Sequence, residues 1–113
     1  MARSGQRGAC SDHSAARTTL PGAGLTSTAR DYARFLEALR LGGAIDGVRV
    51  LAPHTVGLMT TDQLGAVYSR DGSRGFGLGF EIVGRYGASG MASVGTFSWG
   101  GAYATTYSVD PVE

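Results

Sequence analysis

Phe97-Ser98-Trp99-Gly100-Gly101-Ala102-Tyr103 sets a bulky aromatic against two glycines, near the carboxyl end of a 113-residue chain. Tyr103-Ala104-Thr105-Thr106-Tyr107-Ser108-Val109 continues it and is rich in β-formers. Paired glycines within strand-like sequence mark a place where another backbone or a ligand comes close. With no side chains there, main-chain N–H groups can face a substrate directly. The same pair also fits a bulge or tight corner within a sheet. These seven residues leave both readings open, and their surroundings decide between them.

Working upstream, residues 75–83 read Gly-Phe-Gly-Leu-Gly-Phe-Glu-Ile-Val and alternate cleanly. They predict one strand, with Phe76, Leu78, Phe80 and Ile82 on one face and Gly77, Gly79 and Glu81 on the other. Residues 85–93 form a glycine-punctuated turn region, and residues 60–74 lack sustained period and read as a surface loop. Residues 44–51 place Asp46-Gly47 between apolar residues, the strongest short hairpin signal. Pro53 then opens a short helix carrying Val56, Leu58 and Met59.

Residues 29–41 show helical period, with Tyr32, Phe35, Leu36 and Leu39 on one face and Arg30, Arg34, Glu37 and Arg40 elsewhere. Burying each large apolar member contributes roughly 1.5–3 kcal/mol. Ser27 or Thr28 caps this helix, Thr28 with Asp31 forming a capping box. Gly42-Gly43 stops it. Residues 21–24, Pro-Gly-Ala-Gly, make a turn before it. Residues 1–20 have almost no large apolar side chains and read as a disordered or extraneous tail, leaving 21–113 as the folded part.

The length suits one small domain. A net charge of +1 indicates neither nucleic acid nor a membrane surface as partner. No apolar run approaches a membrane span, and no signal-peptide core is visible, which leaves localisation open. Cys10 alone makes no internal disulfide, and Cys10, His13 and His54 offer no metal-site spacing, so neither metal nor cofactor is expected. Gly is abundant at 19 residues, and all ten cationic side chains are Arg. A lysine amine is therefore not available from this sequence.

Gly24-Leu25-Thr26-Ser27-Thr28-Ala29-Arg30-Asp31-Tyr32-Ala33-Arg34-Phe35 resembles the G-G-L-x-S-T-A-x-D-[LY]-x-R-F helix start of β-lactamase-related serine hydrolases. That group includes class C β-lactamases, related carboxylesterases and D-amino-acid peptidases. The Gly-Gly stop, the Asp-Gly hairpin, Leu51-Ala52-Pro53-His54-Thr55-Val56 and the strand at residues 75–80 follow in the family's order. Trp99-Gly100-Gly101 is similar to the Trp-Gly-Gly that esterase-like members carry in place of Lys-Thr-Gly. Asp110-Pro111 matches the turn after the next strand. The likeness runs from about residue 22 onward, and the succession of pieces makes it specific.

The resemblance implies an α+β, β-lactamase/transpeptidase-like fold, here an incomplete domain with antiparallel strands flanked by helices. It implies a parent that cleaves a small ester, amide or β-lactam-like substrate through a serine acyl-enzyme. By position, Trp99, Gly100, Gly101 and Tyr103 would line the substrate cleft, and the Ala102 N–H would be an oxyanion donor. The family's S-x-x-K nucleophile and its tyrosine motif lie upstream of the matching helix, and its pattern continues past Asp110-Pro111 into a further strand and helix.

Here the sequence departs from the pattern. Residues 14–17 and 27–30, Ser-Ala-Ala-Arg and Ser-Thr-Ala-Arg, imitate S-x-x-K, but arginine cannot serve as the base. Ser27 reads instead as a cap. Tyr68-Ser69-Arg70 imitates the tyrosine motif on the wrong side of the helix. Ser98 lacks a nucleophile elbow, since Thr96 stands where its first glycine would be. Residues 75–79 precede no helix and make no dinucleotide fingerprint.

Three functions follow as alternatives. The chain supplies one wall of a serine hydrolase site and is inactive alone; or it is a non-catalytic module of the same fold, binding a ligand such as a cell-wall peptide or pairing with another chain; or it is an unrelated small α+β domain. Under the first two, uncovered apolar faces and strand edges invite aggregation or chain pairing.

Overall fold

The structure, a computed structural model, describes residues 25–113. The expected tail at 1–20, Cys10, His13, the Ser-Ala-Ala-Arg at 14–17 and the turn at 21–24 lie outside the described residues.

Helix α1 spans Ala29–Arg40. Thr28 caps it: its Oγ1 accepts the Asp31 N–H at 3.1 Å and donates to the Asp31 carboxylate at 2.8 Å. Ser27, the other candidate, turns its hydroxyl to the Thr28 carbonyl instead. At the far end Gly43 N–H donates to Ala38 O at 2.7 Å and Gly42 N–H to Leu39 O at 3.0 Å. These are the paired bonds of a Schellman stop, and Gly42, the first residue past the cap, holds the positive φ it requires.

Strands β1 (Ala44–Ile45) and β2 (Val48–Arg49) pair antiparallel around Asp46 and Gly47, at φ 50 and 78. Two left-handed residues in a two-residue loop are the type I′ arrangement that matches strand twist. Helix α2, Pro53–Met59, starts on its proline and buries Val56.

The main sheet is an antiparallel meander, β3 (Arg74–Phe76), β4 (Glu81–Val83), β5 (Phe97–Gly100) and β6 (Thr106–Val109), in that order. The single strand expected over residues 75–83 is instead the β3–β4 hairpin. Gly77 N–H donates to Phe80 O at 2.9 Å, Leu78 N–H donates to Met59 O at 3.2 Å, and Gly79 takes φ +98. A Cβ on Gly77 would stand 2.0 Å from Met59 O, so the glycine lets the chain turn back against the end of α2. Leu78 is consequently exposed rather than aligned with Phe80. The alternation was real, but it spanned a reversal that the glycines permit.

A glycine bulge precedes β5. Gly95, at φ +93, donates to Val83 O, and Val83 N–H donates to Thr96 O, both at 2.9 Å. Leu36, Leu39, Val56, Phe80, Ile82 and Phe97 form one core cluster, with Leu51, Met59, Tyr107 and Val109 against it. Both helices therefore cover the same sheet face, giving a two-layer α+β arrangement. Tyr32 and Phe35, expected on the buried face of α1, stay 36% and 37% exposed at its margin, Tyr32 edge-on to Tyr107 at 5.1 Å between ring centroids.

Candidate active-site strand

Pairing stops early on one side of β5. Glu81 lies opposite Ser98, and no β4 residue pairs with Trp99 or Gly100, because the β3–β4 connection occupies residues 77–80. On the other side β6 pairs along the whole of β5, Trp99 opposite Tyr107 and Gly100 opposite Thr106. Gly101 N–H then donates to Thr105 O at 2.8 Å. Amides alternate in direction along an antiparallel strand. Trp99 and Gly101 therefore face β6, while Gly100 and Ala102 face the opposite, open side.

Strand-like sequence was read through Tyr103, yet β5 ends at Gly100. Ala104 N–H donates to Gly101 O at 3.1 Å, and Ala104 itself holds φ +60. Residues 102–104 are thus the three-residue loop of the β5–β6 hairpin, with a left-handed residue in its last place. Of the two readings of the glycine pair, the tight corner is present, and it ties up the Gly101 amide. The Ala102 amide makes no hydrogen bond among the described residues. Trp99, Gly100, Gly101, Ala102 and Tyr103 are all exposed. The corner and the open edge coexist.

Trp99's neighbours were not legible in the sequence. Its ring meets Phe76 edge-on at 4.9 Å, and Phe76 lies 5.4 Å from Tyr68, all between ring centroids. This aromatic row has a polar flank. Tyr68 Oη donates to Glu81 Oε2 at 2.6 Å, and Arg74 pairs with the other oxygen of that carboxylate. The bond to Glu81 raises the Tyr68 pKa. A phenol already committed to a carboxylate makes a poor proton acceptor, in keeping with Tyr68-Ser69-Arg70 being only an imitation of the family's motif.

Asp62 anchors the row from below. Its carboxylate accepts the Leu64, Gly65 and Phe76 N–H groups at 3.0–3.1 Å, and these backbone bonds, Phe76's first, lower its pKa. In sequence, residues 60–74 read only as a surface loop, with no role for Asp62. The reach of its carboxylate to residue 76 was not legible, because that contact joins segments fourteen positions apart. A cleft of about 190 Å³ lies elsewhere, lined by Leu39, Val56, Thr60, Gly95, Phe97 and Pro111 among others; its lining has no carboxylate, and its hydroxyl, on Thr60, donates to Val56 O at 2.9 Å.

His54 is an exposed residue of α2, and the described residues hold no group of three His, Cys, Asp or Glu placed to bind a metal. No helix among them is long and apolar enough to cross a membrane. Ser98 sits within β5 opposite Glu81 and Ser108 rather than at an elbow.

A family model described as Beta-lactamase matches residues 2–113. Two Mycobacterium tuberculosis proteins are similar at 44% identity over 102 residues, covering 80% of this chain and 25% of theirs. One is described as "Uncharacterized protein MT1414", from strain CDC 1551 / Oshkosh, and the other as "Protein Rv1367c", from strain ATCC 25618 / H37Rv. The chain therefore spans about a quarter of the length of the curated relatives it matches. The reading as an unrelated α+β domain falls away. With nearly its whole length matched, the helix–hairpin–helix–meander that carries Trp99-Gly100-Gly101 belongs to the β-lactamase family.

Proposed function

We propose that this chain forms one wall of the active site of a serine hydrolase that cleaves an ester or amide through a serine acyl-enzyme. Trp99, Gly100, Gly101 and Tyr103 border the cleft. The Ala102 N–H is one oxyanion donor, and the nucleophilic serine and its lysine come from elsewhere in a longer polypeptide. The observation that carries this reading is the open side of β5, where the amides of Gly100 and Ala102 face away from β6.

A backbone amide at the turn of a hairpin is fixed by the fold, so it needs little reorganisation when charge develops on a carbonyl oxygen. Such a donor is worth about 3–4 kcal/mol in the transition state. Trp99 in place of a lysine offers an apolar surface and no cation for a substrate carboxylate, which favours esters over β-lactams. This preference rests on the family's pattern.

Two measurements test the proposal. The 113-residue chain alone should hydrolyse neither p-nitrophenyl butyrate nor nitrocefin above buffer; turnover would show that it contains its own nucleophile. In a polypeptide joining this chain to an upstream S-x-x-K segment, Ala102→Pro removes the donor and should lower kcat about 10²–10³-fold, while Ala102→Gly retains it. Equal activity of the two variants would refute the oxyanion role and leave the non-catalytic module as the better account.

A further inference from the structure

We propose that Tyr68 is a positioning residue: held by Glu81, its ring braces Phe76, and through Phe76 it fixes the plane of the Trp99 ring against which the substrate lies. That Trp99 meets substrate rests on the proposed function; the brace itself does not. Little else holds the indole. No β4 residue pairs with Trp99, because β4 begins at Glu81, opposite Ser98, and the strand partner of Trp99 is Tyr107 on β6. The aromatic neighbour of Trp99 among the described residues is Phe76, edge-on at 4.9 Å with 79° between ring planes. An indole on a strand turns about two side-chain bonds, so a fixed ring on one flank selects among its rotamers.

Phe76 can act as that stop because its backbone is held on both sides. Its N–H donates to Asp62 Oδ1 at 3.0 Å, its carbonyl accepts the Gln63 N–H at 2.9 Å, and it pairs with Glu81 across β3 and β4. Its ring still needs a limit on the far flank, and Tyr68 supplies one at 5.4 Å between centroids. Tyr68 follows the short turn Gly65–Val67, and its own N–H donates to Gly65 O at 3.1 Å. The Asp62 carboxylate accepts the Gly65 N–H as well as that of Phe76, so one side chain sets the spacing of the two segments that carry these rings.

The phenol hydroxyl gives the brace its direction. Tyr68 Oη donates to Glu81 Oε2 at 2.6 Å, and Arg74 holds the other oxygen of that carboxylate. Glu81 lies opposite Phe76 on one side and opposite Ser98, the chain neighbour of Trp99, on the other. The contacts therefore close a loop, from Glu81 to Tyr68, Phe76 and Trp99, and back through Ser98 to Glu81. Aromatic contacts alone allow rings to slide past one another, whereas a hydrogen bond to a carboxylate is short and directional. That bond fixes the far end of the row, and edge-on packing carries the constraint to Trp99.

Trp99 is the sole tryptophan, so its emission and its quenching by acrylamide report this ring in the full chain. Tyr68→Phe keeps the ring and removes the hydroxyl; it should shift the emission and increase quenching, with an unchanged far-UV spectrum. Glu81→Gln keeps a hydrogen-bond partner for the phenol and should retain the wild-type emission, whereas Glu81→Ala should match Tyr68→Phe. With Phe76→Leu already in place, Tyr68→Phe should change the emission no further. In the polypeptide joined to an S-x-x-K segment, Tyr68→Phe should raise KM for p-nitrophenyl butyrate about 3–10-fold and leave kcat nearly unchanged. Unmoved Trp99 emission in Tyr68→Phe would overturn the proposal, even if the urea midpoint fell. An undiminished Tyr68→Phe effect beside Phe76→Leu, or a fall in kcat with KM unmoved, would overturn it as well. The emission measurements need no turnover, so failure of the brace is told apart from failure of the hydrolase reading, which the Ala102 variants decide.

Discussion

Replacing Ala104 by glycine should stabilise the fold, and replacing Gly95 by alanine should destabilise it by a similar amount. Both positions lie in the left-handed region, Ala104 at φ +60 and Gly95 at φ +93. A side chain there costs about 1–2 kcal/mol through its Cβ meeting the following carbonyl. Glycine removes that cost but gains freedom in the unfolded chain, offsetting about 0.4–1 kcal/mol. The net effect of Ala104→Gly is therefore a gain of about 0.5–1 kcal/mol. Gly95→Ala runs the same argument backward, and packing does not confuse it. A Cβ at residue 95 would find its nearest atom, Pro111 Cγ, at 3.8 Å, an ordinary contact. Trp99 is the sole tryptophan, so urea unfolding followed by its emission reads this sheet directly. With a slope of about 1–2 kcal/mol/M, the midpoints should move by about 0.5 M in opposite directions. Midpoints that move the same way, or a lower midpoint for Ala104→Gly, would refute the backbone argument.

Gly43→Ala should cost about 3 kcal/mol or more, because its Cβ would lie 2.3 Å from Leu51 O, on backbone that has little room to yield. Gly42→Ala, at φ +74 with nothing within 4 Å, should cost only the conformational part, about 1 kcal/mol; urea midpoints of the two variants check the ratio. Thr28→Ala removes the cap of α1 and should cost about 1 kcal/mol, seen as a lower midpoint in far-UV circular dichroism. Asp110 accepts the Ser93 and Val112 N–H groups at 2.9 Å, and these bonds, Ser93's first, lower its pKa from 3.8 to about 2. Its folded pKa lies below the unfolded one, so its contribution is full above 3.8 and disappears as pH falls through about 2. Asp110→Asn should flatten the dependence of the urea midpoint on pH across that window.

Local chemistry was legible in the sequence wherever it was self-contained. Thr28 with Asp31, Gly42-Gly43, Asp46-Gly47 and Pro53 each carry their own geometric reason, and the structure uses each where it stands. Reading failed where a contact between distant segments decided the outcome. Residues 75–83 alternate as one strand would, and only the approach of Met59 O to Gly77 shows that the chain folds back there. In sequence Tyr68 reads only as part of a chance imitation of the family's tyrosine motif, and its contacts with Phe76 and Glu81 were hidden because neither is near it in the chain. At the site, the glycine pair and its aromatic neighbour were visible, while the Phe76 wall and the Asp62 anchor beneath it were not.

The direction of the Gly100 and Ala102 amides traces back to one apolar side chain. Phe97 is 2% exposed and must point toward α1 and α2. In an L-peptide strand of given direction, fixing the face of one side chain also fixes which way its N–H points, and both alternate with period two. Burying Phe97 therefore turns the amides of residues 97, 99 and 101 toward β6 and those of 98, 100 and 102 away from it. Ser98 meets β4; Gly100 and Ala102 lie past its end and meet nothing among the described residues. A slip of one residue would expose Phe97 and turn the Gly100 and Ala102 amides into the ladder. The core position thus protects the orientation of two amides of the proposed site, to which it contributes no atom.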